Sequence, residues 1–325
     1  MDNRHTSSPG TATKVRPGKT ALWIAAAALL LLFAVILIVA IARDPAPADE
    51  PESAEAAEAA VSAEAPPSPD APSPTPDATA QVPPDTSAER AARQMVRRDG
   101  FPMLRWEVDK FTAGSNGRMR YTGQAGTLTG VDVSEHQYDI DWKQVAADGI
   151  DFAMIRVGYR GSTAGGLYED EYFERNIRGA LAAGIKVGVY FFSQAIDARE
   201  AAEEAAFVLE KIKPYEVTFP VVFDWEIVGG SDARTYTVSR RSLVEATRAF
   251  CDAVKREGYD PMLYFTRYLG YRKYILRELA DYGFWYAEYE ERPRIAFHFD
   301  MWQYSEKGSV RGIEGDVDLN LYLLN

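Results

Sequence analysis

From Gly130 onward the chain repeats one pattern, and that pattern restricts the fold more than any other feature of the sequence. A short run of β-branched and aromatic residues is followed by a turn and then by a longer stretch with apolar residues at helical spacing. The strand runs are "GVDVS", "FAMIRVGY", "KVGVYFFSQ", "PVVFDWE" and "PMLYFTR". The helical stretches between and after them are "DWKQVAADG", "EDEYFERNIRGALAAG", "DAREAAEEAAFVLEKIK", "SRRSLVEATRAFCDAVKREG" and "GYRKYILRELADYG". Asp141 with Gln144 predicts a capping box, and Gly184 predicts a helix end. Five strand–helix units in succession predict a parallel sheet, and strands that are apolar throughout predict that helices cover it. Beyond "FWYAEY" the helical period stops, leaving "HFDMWQYS" and "GDVDLNLY" as strands. The expected fold is therefore α/β, a barrel whose last helices are missing, over residues 127–325. A doubly wound open sheet is the alternative, but no glycine-rich phosphate loop supports it.

The 126 residues before that domain are organised differently. Ala21 to Ala42 is uncharged and long enough to span a bilayer, for which about 20 apolar residues suffice. A signal-peptide core is shorter, so the length argues for a retained anchor over cleavage at Ala40-Ile41-Ala42. Arg4, Lys14, Arg16 and Lys19 precede the span and only Arg43 closely follows it, which predicts a cytoplasmic tail over 1–20, an anchor over 21–42 and an exported remainder. The predicted location is the inner (cytoplasmic) membrane, crossed once, with the large domain on the periplasmic side. Residues 43–88 read as a disordered linker: Asp44 to Glu89 holds eleven acidic residues and eleven of the 18 prolines, with no Lys or Arg. Removing those eleven acids from the net charge of -12 leaves about -1 for the rest, so the acidity signals no cationic partner. No feature suggests nucleic-acid binding. Residues 89–126 are expected to form a neck or an extra layer on the domain, with a short helix over 87–98.

Two residue types exclude other chemistry. The single cysteine, Cys251, lies in an apolar pattern and is expected in the core. His5, His136 and His298 have no metal-binding spacing, so neither a metal nor any other cofactor is expected.

Carboxylates carry the functional signal. "VVFDWE" places Asp224 and Glu226 two residues apart at the end of a buried strand, where side chains point to one face. Like charges on a buried face repel and lose hydration, so a merely structural strand end avoids them. Asp132 closes the first strand and Asp318 lies in the last. Either one alone is equally readable as a turn or loop residue.

In order and rough spacing, "GVDVSEHQYDIDW", "VGVYFFSQAI", "VVFDWE", "MWQYS" and "GDVDLN" resemble glycoside hydrolase family 25, the Chalaropsis-type lysozymes or N,O-diacetylmuramidases. The resemblance implies a TIM-like barrel of (β/α)5β3 type. It also implies cleavage of peptidoglycan glycan strands between N-acetylmuramic acid and N-acetylglucosamine, with Glu226 as general acid and Asp132, Asp224 and Asp318 completing the acidic cluster. A D-x-E pair is similar to that of hydrolases that use the substrate's own acetamide as nucleophile; direct attack by Asp132 or Asp318 and an inverting route stay open. Asp224 is expected to remain ionised beside a protonated Glu226. Tyr190, Tyr264, Trp285, Trp302, Gln303 and Tyr304, on or near strand ends, are the expected substrate contacts. Tyr138, where the family often has glycine, and Phe191, where many members have histidine, depart from the pattern beside the expected groove. A peptidoglycan-binding anchor without catalysis and a hydrolase of another N-acetylated polysaccharide are the competing readings.

Overall fold

The computed structural model describes residues 103–114, 117–229 and 233–324. The predicted tail, anchor, linker and helix over 87–98 lie outside the described residues. Among the described residues no helix is long and apolar enough to cross a membrane.

Eight strands close into a ring. In chain order they are β3 (Thr127–Val133), β4 (Phe152–Arg160), β6 (Lys186–Ser193), β7 (Val221–Trp225), β8 (Pro261–Thr266), β9 (Gly283–Ala287), β10 (Met301–Gly308) and β11 (Val317–Leu323). Neighbours from β3 through β10 pair in parallel. β11 is antiparallel both to β10 and to β3, and so shuts the ring. Closure rules out the doubly wound open sheet. A short strand, β5 (Leu167–Glu169), pairs with the end of β4 outside the ring.

Helices follow the first five strands, and four of them are started by a capping side chain. Asp141 caps α1 (Trp142–Ala147) by accepting from the Lys143 and Gln144 amides, while the Gln144 side chain bonds the Asp141 carboxylate rather than its backbone. After α2 (Phe173–Ala182), Gly184 takes φ 75°, a left-handed turn that suits glycine. Asp197 and Ser239 cap α3 (Ala198–Ile212) and α4 (Arg240–Arg256). The stretch predicted as one long fifth helix is divided. Thr266 caps α5 (Arg267–Arg272) directly at the strand end, and the chain resumes only as a 3-10 turn, Leu276–Leu279. Between them Tyr274 is fully buried beside Phe265, which fixes the chain at the break.

Strand alternation sorts the core into two layers. Outward residues such as Val131, Ile155, Val189 and Phe223 pack under the helices with Cys251, buried as expected. Inward residues fill the barrel: Phe152, Met154, Val222, Met262, Tyr264, Trp285 and Met301. A Cβ on Gly130 would stand 2.3 Å from the Phe152 ring, so this glycine makes room for the interior aromatic.

β10 has no helix after it, and the neck supplies its cover. β1 (Phe111–Ala113) and β2 (Met119–Tyr121) form a hairpin whose Phe111 ring meets Trp302 edge-on at 5.2 Å. The Trp106 indole donates to the Phe299 carbonyl at 2.7 Å, and the Leu104 amide to the Ala296 carbonyl. Arg118 ion-pairs with Asp148 at the end of α1. The described part of the neck is thus an outer layer of the barrel.

Candidate active site

Barrel geometry brings the four predicted acids to one end. Asp132 and Asp224 lie near the carboxyl ends of β3 and β7 and point inward, while β11 runs the other way and starts at that same end. Register sets Asp318 directly opposite Asp132. Glu226 lies one residue beyond β7, so strand pairing does not hold it. Instead the Gln194 amide, fully buried, donates to the Glu226 carbonyl at 2.9 Å.

Polar partners then divide the acids into two kinds. Asp132 accepts from Gln303 Nε2 at 2.9 Å and from Asn320 Nδ2 at 2.7 Å. Both amides are oriented from behind: Gln303 Oε1 accepts from the Tyr264 and Tyr289 hydroxyls, each at 3.0 Å, and Asn320 Oδ1 from the Trp285 indole at 2.9 Å. Gln303 Nε2 also reaches Asp318 at 3.3 Å. By contrast, Asp224 Oδ1 is buried with no hydrogen-bond partner among the described residues. An orphaned acceptor of this kind costs about 1–3 kcal/mol unless a ligand satisfies it.

Burial decides the protonation. It pushes the Glu226 carboxyl up to about 8, with the charge of Asp132 adding to the effect. It lifts Asp224 well above the usual carboxylate range, reinforced by Glu226 and Asp132 and opposed by Arg156. Asp318 is likewise raised well above that range by burial and then by Asp132. Asp132 is raised by burial, but hydrogen bonds from Asn320, Gln303 and Asp318 pull against it. Asp132 is therefore the best-supported carboxylate. Burial works against the expected ionised Asp224, which is only 5% exposed, and among the described residues no donor reaches its Oδ1 to offset that burial.

Two of the expected aromatic contacts belong elsewhere. Trp302 and Tyr304 flank Gln303 on β10 and so face outward, where they pack with Phe111 under the neck. Their aromatic signal reports the uncovered outer face of a strand that lacks a helix. Tyr190, Tyr264, Trp285 and Gln303 do point inward, with Tyr190 and Tyr264 edge-on to Trp285 at 6.0 and 5.1 Å. Phe191 also turns from the groove, packing on Phe207 of α3. Tyr138 stays at the surface with φ 48° and ψ −129°, a conformation that costs a non-glycine residue about 1–3 kcal/mol.

Arg156 was not anticipated. It is buried at the site, donating from Nε to Asp170 and from Nη2 to Glu135, both at 2.8 Å, and it is the cation that opposes the rise of Asp224. A charge inside the apolar run "FAMIRVGY" was its visible signal, the same one that exposes Asp224. Asn320 in "GDVDLNLY" and the hydroxyl of Tyr289 had no comparable mark.

Breaking a glycosidic bond takes a carboxyl group that still holds its proton near neutrality and a second carboxyl or carboxylate facing the anomeric centre, and a barrel mouth is where such groups collect. By class this is a glycoside hydrolase. Residues 131–313 match the sequence profile of glycosyl hydrolases family 25, more than half of the 325 residues, and the chain belongs to that family. The uncharacterized protein YegX of Escherichia coli O6:H1 is 29% identical over 202 residues, 60% of this chain and 70% of that protein. The autolytic lysozyme of Clostridium acetobutylicum is 27% identical over 195 residues, 59% and 55% of the respective chains. The modular autolysin LytC from Streptococcus pneumoniae shares the fold with a TM-score of 0.54 at 25% identity, over 65% of this chain and 52% of LytC. The chain thus spans about half the length of that lysozyme and that autolysin.

Proposed function

We propose that the protein is a peptidoglycan hydrolase, a muramidase that cuts the β-1,4 bond between N-acetylmuramic acid and N-acetylglucosamine. The observation that carries this reading is the pairing of Glu226, whose carboxyl burial pushes up to about 8, with an Asp224 oxygen that has no partner among the described residues. Family membership and the lysozyme among its relatives support the substrate class. We read the barrel as the shortened TIM-like, (β/α)5β3 form.

In the proposed mechanism Glu226 protonates the leaving glycosidic oxygen. Any proton on Asp224 passes to solvent as substrate binds, and Asp224 Oδ1, now of a carboxylate, accepts the N–H of the muramic acid acetamide. The oriented acetamide oxygen attacks the anomeric carbon and forms an oxazolinium ion. Glu226, now a carboxylate, takes a proton from the water that opens the ion and restores the acetamide. Asp132, fixed by Gln303 and Asn320, supplies negative charge to the oxocarbenium-like transition state. Tyr190, Tyr264 and Trp285 shape the inner wall against which the sugar rests.

Wild type should cut glycan lacking the reacting acetamide poorly, and Asp224→Asn should add little further loss there while slowing natural glycan about a hundredfold or more. A protein nucleophile predicts the reverse: substantial wild-type activity on the de-acetylated glycan, with Asp132→Asn or Asp318→Asn the more damaging change. The domain is proposed to act on the periplasmic side of the inner membrane, tethered through residues 21–42 by the linker over 43–88.

A further inference from the structure

Seven large apolar or aromatic side chains are exposed among the described residues, and five of them share one end of the barrel. Tyr138, Tyr168, Ile196, Tyr236 and Tyr268 each lie in the segment that follows the carboxyl end of a different strand, namely β3, β4, β6, β7 and β8. The segments that carry them emerge at the end of the barrel where the four acids collect. Tyr138 is the most exposed of them at 68%, and it is the one described non-glycine residue with positive φ. Its exposed ring gains little burial to offset that backbone conformation. The turn that imposes it is built firmly, since Ser134 and Gln137 cap each other across the 3-10 turn Glu135–Gln137. Strain held at an exposed aromatic by a rigid turn points to a ligand that the ring must meet.

The surroundings define that ligand. The Tyr172 ring stands edge-on to Tyr138 at 6.3 Å, and the Arg175 guanidinium lies 6.0 Å over Tyr172. Arg175 is ion-paired with Asp139, so the patch carries no surplus charge. A neutral, amphipathic face that offers one apolar plane and a phenolic hydroxyl matches a pyranose ring better than an anion or a cationic peptide.

We propose that Tyr138, backed by Tyr172, is a sugar-stacking subsite on the rim of the mouth, outside the acid pocket, that holds a glycan strand at a residue remote from the scissile bond. The proposal rests on the muramidase reading for its substrate. Its benefit is confined to polymer, because a strand that spans the rim gains a contact that a short fragment cannot reach.

The test uses the full-length chain carrying Glu226→Gln, so that binding to purified sacculi is read without hydrolysis. Adding Tyr138→Gly removes the ring and accepts the positive φ. Binding to sacculi should weaken roughly three- to tenfold while Tm rises by about 2–4 °C. Tyr138→Phe should retain most of the binding. Unchanged binding in the glycine variant overturns the subsite and leaves the muramidase reading intact, as does a fall in Tm that accounts for any loss. Failure of the Glu226→Gln parent itself to bind sacculi, together with no release of reducing ends by wild type, overturns both.

Discussion

Glu226 illustrates how a single residue ties stability to function. A carboxyl whose folded pKa lies above its unfolded value binds its proton more tightly in the native state. Its contribution to stability is complete below the unfolded value, 4.5, and is lost as pH rises through about 8. In the proposed mechanism the same proton is the one catalysis needs. Replacing Glu226 by Gln should therefore raise Tm at pH 8.5 by several degrees, with the two proteins converging near pH 4, while turnover of natural glycan disappears at every pH. A variant less stable than wild type at pH 8.5 would mean that the carboxylate is well satisfied in the fold. Asp132 behaves differently because two amides, oriented by Tyr264, Tyr289 and Trp285, receive its charge.

At the scale of elements, the neck replaces a missing helix. Phe111 is 1% exposed, and its ring covers Trp302 on the outer face of β10. Truncation to alanine should cost about 3–5 kcal/mol, and thermal unfolding of Phe111→Ala against wild type measures it. A loss within 0.5 kcal/mol would show that the hairpin contributes nothing to the barrel. Where periodicity is strong the sequence was legible: five strand–helix units, the Asp141 cap and the Gly184 helix end follow from local chemistry, as does Asp224 on a buried strand end with Glu226 just beyond it. It failed where a neighbour decides the outcome. Trp302 and Tyr304 look like groove residues until the hairpin that covers them is in place, and the fifth helix breaks where Tyr274 enters the core. The position of Asp318 depends on the antiparallel register of β11 against β3, which no local pattern encodes. Gln194, which fixes Glu226 beyond its strand, is equally a product of the closed ring.

At the scale of the whole molecule, a domain proposed to cut wall glycan follows an acidic, proline-rich segment of about 46 residues and a proposed anchor. A flexible coil of that length would reach ~40 Å, and ~140 Å if fully extended, which would let the proposed tether bring the domain to glycan near the membrane. Fractionation should place an uncleaved chain in the inner membrane with the segment after Ala42 open to protease from the periplasmic side. Recovery of a soluble chain beginning near Arg43 would contradict the anchor and leave the chemistry untouched.

The central claim concerns which bond is cut, and the new ends of digested glycan report it directly. Purified sacculi treated with the full-length protein, reduced with borohydride and hydrolysed to monomers, should yield muramic acid as its reduced alcohol, with none from Glu226→Gln. Reduced glucosamine in its place, or no new reducing ends from wild type, would contradict the assignment.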